Sequence, residues 1–127
     1  MLSRPELSDD KASFAAIFRE ALVAFTQDAD RDTMPLQYLT TFLLVAMKPG
    51  LSVTEYAEFG QRSGSVMSRH LLDLGERNRK KQPGFGLVVG RPNPMELRKH
   101  EYFLTPKGRA LFERLYLLLT TVRSRAL

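Results

Sequence analysis

The stretch from Phe85 to Gly108 constrains the fold most, because hairpin signals and a helix start lie side by side in it. Phe85 to Val89 and Lys99 to Leu104 read as two strands, carrying the β-branched and aromatic residues that suit a pleated surface. Gly90-Arg91-Pro92-Asn93-Pro94 joins them, and its two prolines remove backbone donors, so the tip is expected to stand outside the ladder. Thr105 then reads as a helix cap with Pro106 at the first helical position. A lone hairpin is marginal in water, so this one must lean on helices.

The helices are legible upstream. From Ser8 to Asp28, Phe14, Ile17, Phe18, Ala21, Leu22 and Phe25 recur at steps of three and four on one stripe. Asp28 to Thr33 reads as a loop, and Pro35 opens a second helix reaching Met47, apolar nearly all round and so expected to be the central one. Lys48-Pro49-Gly50 stops it. Ser52 and Glu55 then form a capping box, with Leu51 and Tyr56 placed as its hydrophobic staple. A short helix ends near Gly60, and another is expected over 63–77, with Met67, Leu71 and Leu74 inward and Ser65, Ser68, Arg69 and His70 on the other face. The expected fold is mainly α with a small β-hairpin wing. It is a single winged helix-turn-helix domain over 1–127, with a core at 35–104 and terminal helices at 8–28 and 106–125.

Charge adds a direction. Residues 1–61 hold 5 Lys and Arg against 9 Asp and Glu, whereas residues 62–109 hold 11 against 4. A face that binds a polyanion concentrates one sign in this way, although basic segments also occur in proteins that touch no nucleic acid. The absence of Cys excludes disulfides, thiolate metal sites and thiol redox sensing. No Gly-rich phosphate loop or nucleophile–base set is present, and Asp9/Asp10 and Glu55/Glu58 suit capping or solvation, so neither an enzyme nor a cofactor is expected. Without an apolar leader or membrane span, a soluble cytoplasmic protein is expected.

The motifs in register resemble those of the MarR family of bacterial winged-helix regulators, over about residues 35–112. Leu51-Ser52-Val53-Thr54-Glu55-Tyr56-Ala57 is similar to its first helix-turn-helix helix, and Ser63-Gly64-Ser65-Val66-Met67-Ser68-Arg69 to the start of its recognition helix. Gly86-Leu87-Val88, Glu96-Leu97-Arg98 and Leu104-Thr105-Pro106-Lys107-Gly108 follow at the family's places. Three departures stand out. Glu96 replaces an Asp, Gly60-Gln61 stands where Leu-Gly is usual, and about eight extra residues separate Leu74 from Gly86. The last departure implies an elongated or kinked recognition helix, or a basic loop beside the wing.

The resemblance implies a transcriptional regulator, a repressor by expectation, that binds double-stranded DNA as a homodimer and takes a small aromatic effector. Gln61, Arg62, Ser63, Ser65, Ser68 and Arg69 are the candidate contacts at the recognition helix. Arg69 leads for base readout, because Arg donates well to guanine whereas Ser discriminates weakly. Its alternative is a phosphate, or Asp73 one turn on. Arg79, Lys80 and Lys81 are phosphate candidates, Arg91 and Asn93 the probing tip, Glu96 and Arg98 a brace, and Arg98 and Lys99 further contacts. The final helix carries apolar residues on two stripes, so Phe14, Phe18, Leu115, Leu118, Leu119 and Val122 are the dimerisation candidates. Packing of the two terminal helices within one chain is the alternative. Phe14, Phe18, Tyr38 and Phe42 are candidates for an effector pocket, or simply core. Two rival readings use the same fold: a protein-interaction module, and a replication or partition factor of a mobile element.

Overall fold

The computed structural model describes the backbone of residues 8–28, 36–76 and 84–126, and the side chains of 8–26, 36–76 and 84–120. Its elements are α1 (Asp9–Asp28), α2 (Leu36–Met47), α3 (Val53–Gly60), α4 (Gly64–Leu74), β1 (Val88–Asn93), β2 (Glu96–Leu104) and α5 (Pro106–Ala126). Residues 29–33 of the expected loop, Pro35, and the basic stretch with Arg77, Arg79, Lys80 and Lys81 lie outside the described residues, as does the side chain of Val122. The order is that of a winged helix-turn-helix flanked by two longer helices.

One core serves every element. Phe25 of α1, Phe42 and Val45 of α2, Tyr56 of α3, Met67, Leu71 and Leu74 of α4, Leu87 and Val88, and Leu111 of α5 are all buried together. The central place of α2 follows from its composition, for it touches α3, α4 and β2. The terminal helices α1 and α5 pack on each other within the chain. That contact covers only part of their apolar surface. Ala21, Ala24 and Phe25 are buried, whereas Phe14 and Phe18 stack on each other at 5.8 Å and stay 52% and 46% exposed.

The end of α4 and the bounds of both strands differ from the sequence reading. The helix expected over 63–77 ends at Leu74, because Gly75 takes an extended conformation and its N–H returns to the Leu72 carbonyl. The chain beyond the insertion then closes on the same end. Gly84 donates to the Glu76 carbonyl at 2.8 Å, Phe85 to Asp73 at 3.1 Å and Leu87 to Leu74 at 2.8 Å. These bonds satisfy carbonyls that a helix end leaves open. Only glycine fits at position 84, where a Cβ would lie 2.3 Å from the Gly75 oxygen. Helix α4 is therefore not elongated, and the described residues on either side of the insertion, Glu76 and Gly84, are hydrogen-bonded to each other.

The strands also lie further out than expected. Phe85 to Leu87 serve the end of α4, and the ladder runs from Val88↔Leu104 to Pro92↔His100. Proline's fixed φ suits an edge strand, and β1 has β2 as its one neighbour in the sheet. The missing donor shows instead as a break in register. Asn93 pairs with Glu96, so Leu97, Arg98 and Lys99 bulge out opposite the Pro92–Asn93 step. The turn itself is Pro94-Met95.

Candidate nucleic-acid interface

The helix-turn-helix is held by local chemistry. Ser52 and Glu55 form the full capping box at the start of α3. The turn into α4 is made by Gln61, whose φ of 54° lies in the left-handed region that usually requires glycine. Gly60 next to it does another job. A Cβ there would meet Met67 Cε at 3.1 Å and Leu44 Cδ2 at 3.3 Å, so the glycine permits close helix packing. Ser63 caps α4 by accepting from the Val66 amide at 3.2 Å.

The inner face of α4 is fixed to α2 by more than apolar packing. His70, expected on the outer face, is instead buried, with Nδ1 3.0 Å from the Thr41 hydroxyl and its ring edge-on to Tyr38. Burial holds its pKa below the ordinary imidazole value, and the Arg62 and Arg69 guanidiniums push the same way while Asp73 opposes. Tyr38 donates to the Asp73 carboxylate at 2.5 Å. Asp73 thus serves the α2–α4 junction, while Arg69 stands exposed on the outer face with Ser65 and Gln61. Arg62 is half-buried, its guanidinium reaching Thr40 of α2 at 3.5 Å, and Ser68 is half-buried too.

The wing is anchored at its base. Leu51 bridges to Tyr102 outside the hairpin proper, with Gly50 N–H to Tyr102 O at 2.8 Å and Tyr102 N–H to Leu51 O at 3.1 Å. Beneath them the buried Tyr56 donates to the Lys48 carbonyl at 2.6 Å and accepts from the Leu51 amide at 3.3 Å. Burial raises its phenol pKa above the ordinary value. The Leu51–Tyr56 staple is therefore tied by the phenol oxygen as well as by apolar contact. Sequence reasoning missed this joint, whose partners are far apart in the chain. Thr105 Oγ1 donates to Gly86 O at 2.6 Å and accepts from Gly108 N–H at 3.0 Å, and Lys107 Nζ donates to Phe85 O at 3.0 Å. Lys107 is thus turned onto the wing base.

The tip differs from expectation. Arg91 lies within the paired strand opposite Glu101, its guanidinium 5.6 Å from the centre of the Phe103 ring. Asn93 Oδ1 accepts from the Met95 amide at 2.8 Å and stabilises the turn. Glu96 faces Lys99 at 3.6 Å instead of bracing Arg98, since the bulge breaks the two-residue alternation that would have paired them. Arg98 and Lys99 are exposed on that bulge.

The four aromatic effector candidates are not brought together. Phe42 packs on Phe25 in the core, Tyr38 joins His70 and Phe85, and Phe14 and Phe18 lie on the outer surface of α1. An apolar pocket of about 230 Å³ does open between α1, α2 and α5, lined by Phe18, Leu39, Leu43, Phe112, Leu115 and Leu119 among others. Among the described residues, no group of His, Asp and Glu could hold a metal ion, and no helix is long and apolar enough to cross a membrane.

Neither a family model nor a curated protein matches the sequence. Solved structures do. The transcriptional repressor CouR, bound to a 23-mer DNA duplex, is 25% identical, with 91% of this chain and 73% of that one covered and a TM-score of 0.56. The YusO protein from Bacillus subtilis is 23% identical over 92% and 74%, with a TM-score of 0.58. The PcaV transcriptional regulator from Streptomyces coelicolor, in complex with its natural ligand, is 19% identical over 96% and 81%, with a TM-score of 0.53. MarR and a MarR transcriptional regulator from Methanosarcina mazei Go1, 16% and 11% identical with TM-scores of 0.57 and 0.58, share the fold.

Proposed function

We propose, with the MarR-like winged-helix fold as premise, that this protein binds specific sequences in duplex DNA and regulates transcription, as a repressor that occupies its site. The observation that carries the reading is the division of α4. Its inner face is buried through Met67, His70, Leu71 and Leu74, while the outer side of its first two turns exposes Ser65 and Arg69 beside Gln61. A helix so mounted can enter a major groove, where Arg69 donates to guanine and the short serines allow close approach. The wing then faces the neighbouring minor groove with Arg98 and Lys99, while Arg91 follows the phosphates from the ribbon. The DNA duplex bound to CouR supports the DNA-binding part of this reading.

A homodimer belongs to the same reading. The exposed Phe14, Phe18 and Leu119 offer a surface for a second copy, and two copies of α4 would read a pseudo-palindrome with half-sites about one helical turn apart. So does an aromatic effector. The pocket beneath Phe18 exceeds the ~150 Å³ that accommodates benzene in an apolar cavity, so a single substituted ring fits. The ligand on PcaV supports such regulation.

Selection from random duplex DNA at fixed salt tests the proposal. A palindromic consensus, with affinity falling steeply as salt rises, is the expected result. No enrichment, together with capture of an acidic protein by the basic face, would favour the interaction module.

A further inference from the structure

The end of the wing is apolar where a basic probe was expected. Met95 is 93% exposed at the centre of the turn, and Leu97, two residues on at the start of the bulge, is 74% exposed. The turn that carries Met95 is built to be stiff. Pro94 fixes its own φ, the Asn93 side chain holds the Met95 amide, and Pro92 restricts the approach. Burial falls along the ribbon from Val88 at the base to the exposed tip, so the turn projects away from the core. Arg91, the residue that would otherwise probe, is drawn back along the ribbon by Phe103.

We infer that Met95, with Leu97 beside it, is a wedge that enters the minor groove and partly unstacks one base step, kinking the duplex. The inference rests on the DNA-binding reading and adds the mode of contact. Proteins that insert Met, Leu or Pro between base pairs bend DNA by about 20–90°, and the cost of unstacking is offset by the additional surface the bent duplex contacts. The scale of the patch favours DNA over another protein. A stable protein interface needs about 800 Å² from each partner, far more than two side chains on a hairpin end supply, whereas a base step admits one. Arg98 and Lys99 on the adjoining bulge suit the phosphates on either side of such a step. The wedge also predicts preference at positions that no side chain reads directly. Flexible pyrimidine–purine steps should be favoured beneath the wing, since they unstack at least cost.

The test uses the full chain and a duplex of about 30 base pairs carrying the selected sequence, labelled at both ends for energy transfer. A second copy of the duplex carries 2-aminopurine at the step beneath the wing. Binding of the wild-type protein should shorten the end-to-end distance and raise the 2-aminopurine fluorescence. Met95→Leu should preserve both signals. Met95→Ala, and more so Met95→Ala combined with Leu97→Ala, should abolish them and weaken binding on the order of tenfold. Met95→Lys separates wedge from charge, for it should lose both signals while holding affinity through an added phosphate contact. Tight, salt-dependent binding by the wild type with a straight, stacked duplex would overturn the wedge and leave the DNA-binding reading intact. The same kink in wild type and double variant would also overturn it. Failure to bind any duplex would overturn both.

Discussion

Helix α4 and the hairpin are built on the same core, yet they are held in opposite ways. The whole inner face of α4 is buried, and polar groups on that face are matched, His70 with Thr41 and Asp73 with Tyr38. Among the described residues the hairpin is secured at one end only, by the Leu51 bridge, the Tyr56 hydroxyl and the Thr105 cap, and its far half is exposed. On the DNA-binding reading proposed above, the contrast separates two tasks. A reader of base edges must present side chains at fixed positions, which burial along a full helix face provides. A probe of groove shape can move as a lever about an anchored base, provided its tip is stiff.

If that contrast is sound, substitutions of similar chemistry should differ widely with place. Leu71→Ala at the fully buried face of α4 should cost about 2–5 kcal/mol in denaturant unfolding, because the site cannot collapse around the lost volume. Gly108→Ala should follow at about 3 kcal/mol, since a Cβ there would stand 2.1 Å from the Leu87 carbonyl oxygen and part α5 from the wing base. A loss confined to a few tenths of a kcal/mol at Gly108 would show that the wing base is looser than its hydrogen bonds suggest.

Smaller effects discriminate more finely. His70 has its pKa held below the ordinary 6.5 by burial, so the unfolded chain binds the extra proton first. Its contribution to stability is complete above that value and is lost as pH falls towards the folded pKa. The urea midpoint should therefore drop more between about pH 7.5 and 5.5 in the wild type than in His70→Gln. Equal slopes would mean that the α2–α4 junction admits water. Gln61→Gly should act in the other direction, raising stability by about 1 kcal/mol through release of the left-handed strain. Met95→Ala at the wing tip should change thermal stability by less than about 0.5 kcal/mol, whatever it does to DNA.

The parts of this molecule that were legible beforehand are the ones written locally. Ser52 and Glu55 announce a capping box three residues apart, and Met67, Leu71 and Leu74 announce the inner face of a helix. Thr105-Pro106 marks the start of α5 in the same way. The misread parts depend on distant partners. Nothing near Leu74 says that its carbonyl will receive the amide of Leu87, so the end of α4 could not be placed. Nothing near Leu51 names Tyr102. The prolines were expected to keep Gly90 to Pro94 out of the ladder, yet Gly90 to Asn93 pair within it around a bulge at the Pro92–Asn93 step, so the tip fell on Met95 and Arg91 was left on the ribbon. At the candidate interface, Arg69 and Ser65 stand exposed as their helical positions imply, whereas Lys107 is taken up by a backbone carbonyl far away in sequence.

The division between a fixed reader and a levered probe is tested most directly by repeating the random-duplex selection with Arg69→Ala at the same salt. The account predicts that the consensus loses a guanine in each half-site, a change of about 1–3 kcal/mol in discrimination, while the flanking preference beneath the wing survives. An unchanged consensus at reduced affinity would confine Arg69 to a phosphate and contradict the assignment of α4 as the reader of bases.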